Sequence, residues 1–90
     1  MIAEIRKQGK DYVTEVLQSG TYQLQVIGSC TASIYESVDG VKFARGKRRS
    51  VIGSDCWQVK LPVGGYFYLQ LSDCAEAPRV EYITRELSEV

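Results

Sequence analysis

Apolar and polar residues alternate along much of this chain. In Tyr22-Gln23-Leu24-Gln25-Val26-Ile27 the apolar positions recur every second residue, the period of a half-buried strand. Cys56 to Leu61 repeats it, with Trp57, Val59 and Leu61 on one side and Gln58 and Lys60 on the other. So does Tyr66 to Ser72, with Phe67, Leu69 and Leu71 opposed to Tyr66, Tyr68 and Gln70. Thr31 to Ser37 is rich in β-branched and aromatic residues, and Asp39-Gly40 after it has the chemistry of a two-residue hairpin turn. The stretch Thr21–Phe43 therefore reads as a three-strand meander whose strands are Tyr22–Ile27, Thr31–Ser37 and Val41–Phe43.

Shorter signals flank this centre. Tyr12–Leu17 reads as a strand closed by Ser19-Gly20, Ser50–Ile52 as a short strand, and Arg79–Glu86 as the last. Pro62 ends the Cys56–Leu61 strand because proline cannot donate to a ladder. Gly9-Lys10-Asp11 reads as a turn, so residues 1–11 are expected to form an N-terminal arm or edge strand. Residues 12–90 are expected to form a single domain. Seven or eight short strands with regularly spaced turns predict an all-β fold, a small antiparallel β-sandwich of immunoglobulin-like or jelly-roll-like kind. The predicted core is Tyr22, Leu24, Val26, Ala32, Ile34, Trp57, Val59, Leu61, Phe67, Leu69 and Leu71.

Composition narrows the partners. Eleven basic and eleven acidic residues give zero net charge, so global charge favours neither nucleic acid nor a membrane. No run approaches the roughly 18 apolar residues of a spanning helix, and the N-terminus lacks the apolar core of a secretory signal. The expected site of assembly is the cytoplasm. Cys30, Cys56 and Cys74 are too widely spaced for a usual zinc motif and read as small hydrophobes in a reducing compartment. Neither a cofactor nor a metal is expected.

Catalytic chemistry has little to stand on. The chain has no histidine, the commonest general base, and no phosphate-cradling or nucleophile-elbow motif. Asp39, Asp55 and Asp73 each sit where a turn would use them. The expectation is a protein that is not an enzyme. Two features suggest binding instead. Lys42, Arg45, Lys47, Arg48 and Arg49 place five positive charges within eight residues, without an acid among them. On a loop or sheet edge they can grip phosphates, deter edge-to-edge pairing, or meet acids of a protein partner. Residues 73–90 carry five acids against two arginines, so a second copy is one source of such acids. Nucleic acid is the less favoured partner, because no aromatic residue is interleaved with the charges from Arg45 to Arg49. The second feature is Tyr35, Tyr66 and Tyr68, which fall opposite the predicted core and read as interface residues.

Gly20-Thr21-Tyr22-Gln23-Leu24, Gly28-Ser29, Ser37-Val38-Asp39-Gly40-Val41-Lys42-Phe43 and Leu61-Pro62-Val63-Gly64-Gly65-Tyr66-Phe67-Tyr68-Leu69 together resemble small β-sandwich virion proteins of tailed bacteriophages. These serve as capsid-decoration, head-fibre or tail-associated parts. The resemblance spans residues 20–72, rests on turn and core positions, and transfers no functional residue. The Ser-x-Asp-Gly-x-x-Phe segment also resembles hairpins of carbohydrate-binding sandwiches. The resemblance implies a structural virion component, a homo-oligomer in contact with other virion proteins. The outward tyrosines and terminal arms, unpartnered in one copy, point the same way. The alternatives are a carbohydrate- or ligand-binding sandwich and a small nucleic-acid-binding barrel using residues 42–49.

Overall fold

The computed structural model describes residues 1–62 and 64–84. In chain order the strands are β1 (Ile5–Gln8), β2 (Asp11–Thr14), β3 (Leu17–Gln18), β4 (Thr21–Ile27), β5 (Cys30–Ser37), β6 (Ala44–Val51), β7 (Ser54–Lys60), β8 (Tyr66–Ser72) and β9 (Arg79–Thr84). All pairings are antiparallel, in two sheets. Sheet I runs β1-β2-β8-β5-β6, with β3 following β2 along the same edge of β8; sheet II runs β7-β4-β9. The chain is thus a small antiparallel β-sandwich, with nine strands among the described residues where seven or eight were expected. Arg85 and Glu86, expected to finish the last strand, lie outside the described residues.

The interior is made by period-two faces. Phe67, Leu69 and Leu71 of β8 meet Tyr22, Leu24 and Val26 of β4, all six buried, and Ala32, Val59, Val51, Val80 and Cys30 fill in around them. Tyr22 packs edge-on against Phe67 at 5.1 Å, and its hydroxyl donates to the Gln18 carbonyl. Of the predicted core, Ile34, Trp57 and Leu61 are only half-buried, for a reason given below.

The meander does not form. β4 pairs with β7 and β9, whereas β5 pairs with β6 and β8 in the other sheet. Gly28, at φ +115°, turns the chain across the sandwich. Its N–H donates to the Gly53 carbonyl at 2.6 Å, and Ser29 Oγ accepts from the Gly53 N–H at 2.8 Å, so the β4–β5 and β6–β7 corners brace each other. Nor is Asp39-Gly40 a two-residue hairpin turn. Residues 38–43 are a loop between β5 and β6, and Val41–Phe43 is not a strand. The two-residue hairpin lies at Gly9-Lys10, where Gln8 pairs with Asp11 and Gly9 supplies φ +65°.

The N-terminal arm closes one side of the sandwich. The Met1 carbonyl accepts from the Tyr82 N–H at 2.8 Å, and the Ala3 N–H donates to the Val80 carbonyl at 2.9 Å, covering the edge of β9. The chain then enters sheet I, where the Glu15 N–H donates to the Glu4 carbonyl and β1 joins β2. The arm expected to seek another copy is therefore bound to its own chain.

Candidate binding cleft and aromatic face

On the opposite side no arm crosses among the described residues. Sheet I ends at β6 and sheet II at β7, each hydrogen-bonded on one side only among the described residues. The two strands meet at the Ile52-Gly53 corner and part from there, leaving an open cleft of about 650 Å³. Its apolar lining is Ile34, Leu61 and Trp57, half-buried above the buried Ala32 and Val59, and Glu36, Lys47 and Lys60 line it as well. The parting of the two strands is why Ile34, Trp57 and Leu61 stay half-exposed.

The corner end of the cleft is locked. Arg49 lies opposite Ala32, on the core side of β6. Its guanidinium sits 4.7 Å from the centre of the Trp57 ring, and its Nε is 2.6 Å from Asp55 Oδ2. The hydrogen bond from Arg49 holds the Asp55 carboxyl below the ordinary aspartate range. One of the five predicted basic contacts thus faces inward and braces the fold.

The rest of the basic run does not sit on a hairpin tip. It forms the strand β6, where seven of eight residues are exposed. Arg48 pairs with Ser33 and Arg45 with Tyr35, so both stand on the outer face of sheet I. The register shifts between these pairs, placing Gly46 and Lys47 opposite Ile34 alone: a bulge in the edge strand. A Cβ on Gly46 would lie 3.0 Å from Glu36 Oε2 and 3.3 Å from the Ile34 carbonyl oxygen, which favours a glycine at this kink and places the Glu36 carboxylate beside it. Arg45, Lys47, Arg48 and Lys60 make no ion pair among the described residues. Lys42 is exposed in the preceding loop, outside the cleft.

The three nominated tyrosines lie on the outer face of sheet I, half-buried. Tyr35 and Tyr68 are directly paired across β5 and β8 and stack at 5.1 Å with 4° between ring planes; Phe43 meets Tyr68 edge-on at 5.0 Å. Burial first, and the neighbouring Tyr35 second, raise the Tyr68 phenol above its usual range. The Tyr66 ring lies under Gly40, where an added Cβ would approach it to 3.2 Å. Each nominated ring therefore already has a ring or a backbone against one face.

That Gly40 contact belongs to a feature without a strand signal, the 38–43 loop. Ser37 Oγ donates to Asp39 Oδ1 at 2.8 Å and accepts from the Gly40 N–H at 2.9 Å. Asp39 Oδ1 also accepts from the N–H groups of Val41 and Lys42, at 2.8 and 3.0 Å. The two backbone bonds and then the Ser37 hydroxyl lower the Asp39 carboxyl to about 2. Between these fixed points Val38 and Val41 project into solvent, 90% and 78% exposed. The signal in the sequence is Ser-x-Asp-Gly, readable as an Asx-type turn as well as a hairpin.

The cysteines differ from one another. Cys30 is buried and Cys74 half-buried, in side-chain contact, and burial followed by Cys74 pushes the Cys30 thiol up to about 11. Cys56, expected inside, is exposed on sheet II, where its sulfur accepts from Gln23 Nε2 at 3.2 Å. Among the described residues no group of three His, Cys, Asp or Glu side chains gathers as metal ligands, and no helix is long and apolar enough to cross a membrane. Neither a protein-family model, nor a curated protein, nor a solved structure shows significant similarity to this chain.

Proposed function

We propose that this chain is a non-enzymatic structural component that works through repeated protein–protein contacts. In a bacteriophage particle its role is that of a capsid-decoration or tail- or neck-associated part, self-associating and assembled in the host cytoplasm. The observation that carries the reading is the 38–43 loop. A loop fixed by five hydrogen bonds to Ser37 Oγ and Asp39 Oδ1 holds two aliphatic side chains in water, where they do nothing for the domain's own core. Ordering the loop in advance lowers the entropy lost when it docks, which favours a contact surface. A carbohydrate-binding module draws less support, because Trp57 lies under Arg49 and Tyr35 and Tyr68 stack on each other.

Light scattering after size exclusion tests the reading. The wild type is expected to be an oligomer, and Val38→Ser/Val41→Ser to have a lower mass with an unchanged far-ultraviolet spectrum. A wild type that stays monomeric at millimolar concentration overturns the self-association.

A further inference from the structure

From the open side of the sandwich we infer that the β6–β7 cleft is a receptor for an extended segment of a partner protein, added as a strand to β6, whose side chains alternate between acidic and aliphatic. This inference rests on the reading of the chain as a protein-contact module, and it gives one edge of that module its ligand.

The main chain supplies the first reason. β6 is eight residues long and among the described residues pairs with β5 alone, so along its other side N–H and C=O groups are available to another strand. An extended peptide that pairs there gains affinity from main-chain bonds and specificity from pockets for alternate side chains. The arm at residues 1–3 caps the β9 edge in this way within the chain; β6 has no such cover among the described residues.

Side-chain alternation supplies the second. In a strand laid beside β6, successive residues face opposite sides of sheet I. Outward residues pass beside Arg48 and Arg45, neither in an ion pair among the described residues, so acids suit them. Inward residues pass over Ile34 and Leu61, the half-buried aliphatic positions of a lining that also carries Glu36, Lys47 and Lys60, so aliphatic side chains suit them best where those two lie. The bulge at Gly46-Lys47 bends the edge, which deters indiscriminate pairing, and the lysine deters it further. A long flat partner strand is disfavoured and a short segment is accommodated.

The same geometry argues against a nucleic acid. Binding a single strand needs an aromatic face on which a base can stack. The ring in this cleft, Trp57, has the Arg49 guanidinium over it. Ile34 and Leu61 match a leucine or valine side chain better than a base.

The test uses isotope-labelled full-length protein and a capped synthetic peptide, Glu-Val-Glu-Leu-Glu-Val-Glu. Two control peptides have lysine in place of glutamate, or the same residues in two blocks, acids then aliphatics. The alternating acidic peptide is expected to shift the amide resonances of Ala44 to Ser50 and slow their hydrogen exchange, with both controls at least tenfold weaker. In Arg45→Glu/Arg48→Glu, affinity for the acidic peptide falls at least tenfold and the lysine peptide binds instead. Unmoved β6 amides at millimolar peptide, or equal binding of the blocked peptide, overturn the inference. So does a single-stranded oligonucleotide that shifts the same amides more tightly than the peptide does. Light scattering on the same samples separates the two readings. A monomer that takes up the peptide keeps the cleft and removes self-association, and an oligomer that ignores it does the reverse.

Discussion

Asp39 shows how one side chain organises a surface. Its carboxylate is exposed, yet it accepts two backbone N–H bonds and one hydroxyl, and these lower it to about 2. The folded value lies below the ordinary carboxylate value of the unfolded chain, about 4. The ordering it provides is therefore complete above about pH 4 and is lost as pH falls through about 2. Amide resonances of Val41 and Lys42 should titrate with that low midpoint, and loop exchange should accelerate over the same interval. Asp39→Asn keeps a carbonyl oxygen as acceptor and should abolish the titration while retaining part of the order. A midpoint near 4 would show that the carboxylate does not hold the loop in solution. Self-association that fades over the same acid range would tie the loop to assembly.

Elements were legible in the sequence to the extent that each has its own pattern. β4, β7 and β8 alternate cleanly, and their predicted bounds agree with the observed ones to within two residues. Which strands pair was not legible. A strand that turns back along its neighbour and one that crosses to the opposite sheet bury the same alternate residues, so the pattern of β4 and β5 fits both topologies. Gly28 at φ +115° decides between them, and a glycine letter alone carries no dihedral angle. β6 was hidden for another reason. As an edge strand exposed on both faces it shows no alternation, and its charges look like those of a loop. The basic run and the tyrosines were visible as residues; the cleft was not, because it arises where two consecutive strands, β6 and β7, part into different sheets, and no residue pattern marks that parting. The glycines of the connections differ in the room around them. A Cβ on Gly65, in the β7–β8 connection, would lie 2.7 Å from the Ser37 carbonyl oxygen, at the end of β5. Backbone on both sides must give way, so Gly65→Ala should destabilise by about 1–3 kcal/mol, a fall of roughly 5–20 °C in Tm. At Gly20, in the β3–β4 connection, the nearest atom would be 3.8 Å away, on the Tyr22 ring. Gly20→Ala is therefore expected to be neutral or stabilising by up to about 1 kcal/mol. Calorimetry of the two variants compares them directly; equal effects would mean that the β5 end is not packed against that connection.

At the scale of the whole molecule the described residues form an asymmetric sandwich, closed along one side by the first residues and, among the described residues, open along the other. Closure by the arm joins the sheets physically, because Met1 and Ala3 bond to β9 of sheet II while Glu4 bonds to Glu15, beyond β2, in sheet I. Ala3 is itself buried in the core, so removing the arm opens the interior as well as an edge. Deleting residues 1–4 eliminates three bonds to β9, one of them from the Met1 amino group, and two between Glu4 and Glu15, each contributing about 0.5–1.5 kcal/mol and the exposed ones least, before any loss of burial. The expected loss is about 2–4 kcal/mol, against a total of roughly 5–13 kcal/mol for a domain of this size. The truncated protein should still fold, with Tm lower by 10 °C or more. Its exchange pattern should be uneven: amides of β9 lose protection first, while the β4–β7 and β5–β8 ladders, paired over their whole length, keep theirs. The newly bare β9 edge should also make the truncated protein aggregate on storage, since an uncovered strand invites pairing. If instead β9 keeps its protection and Tm moves by less than about 2 °C, the arm does not seal the sandwich in solution. Its main-chain groups would then be free to pair with another chain, as those along the outer side of β6 are among the described residues.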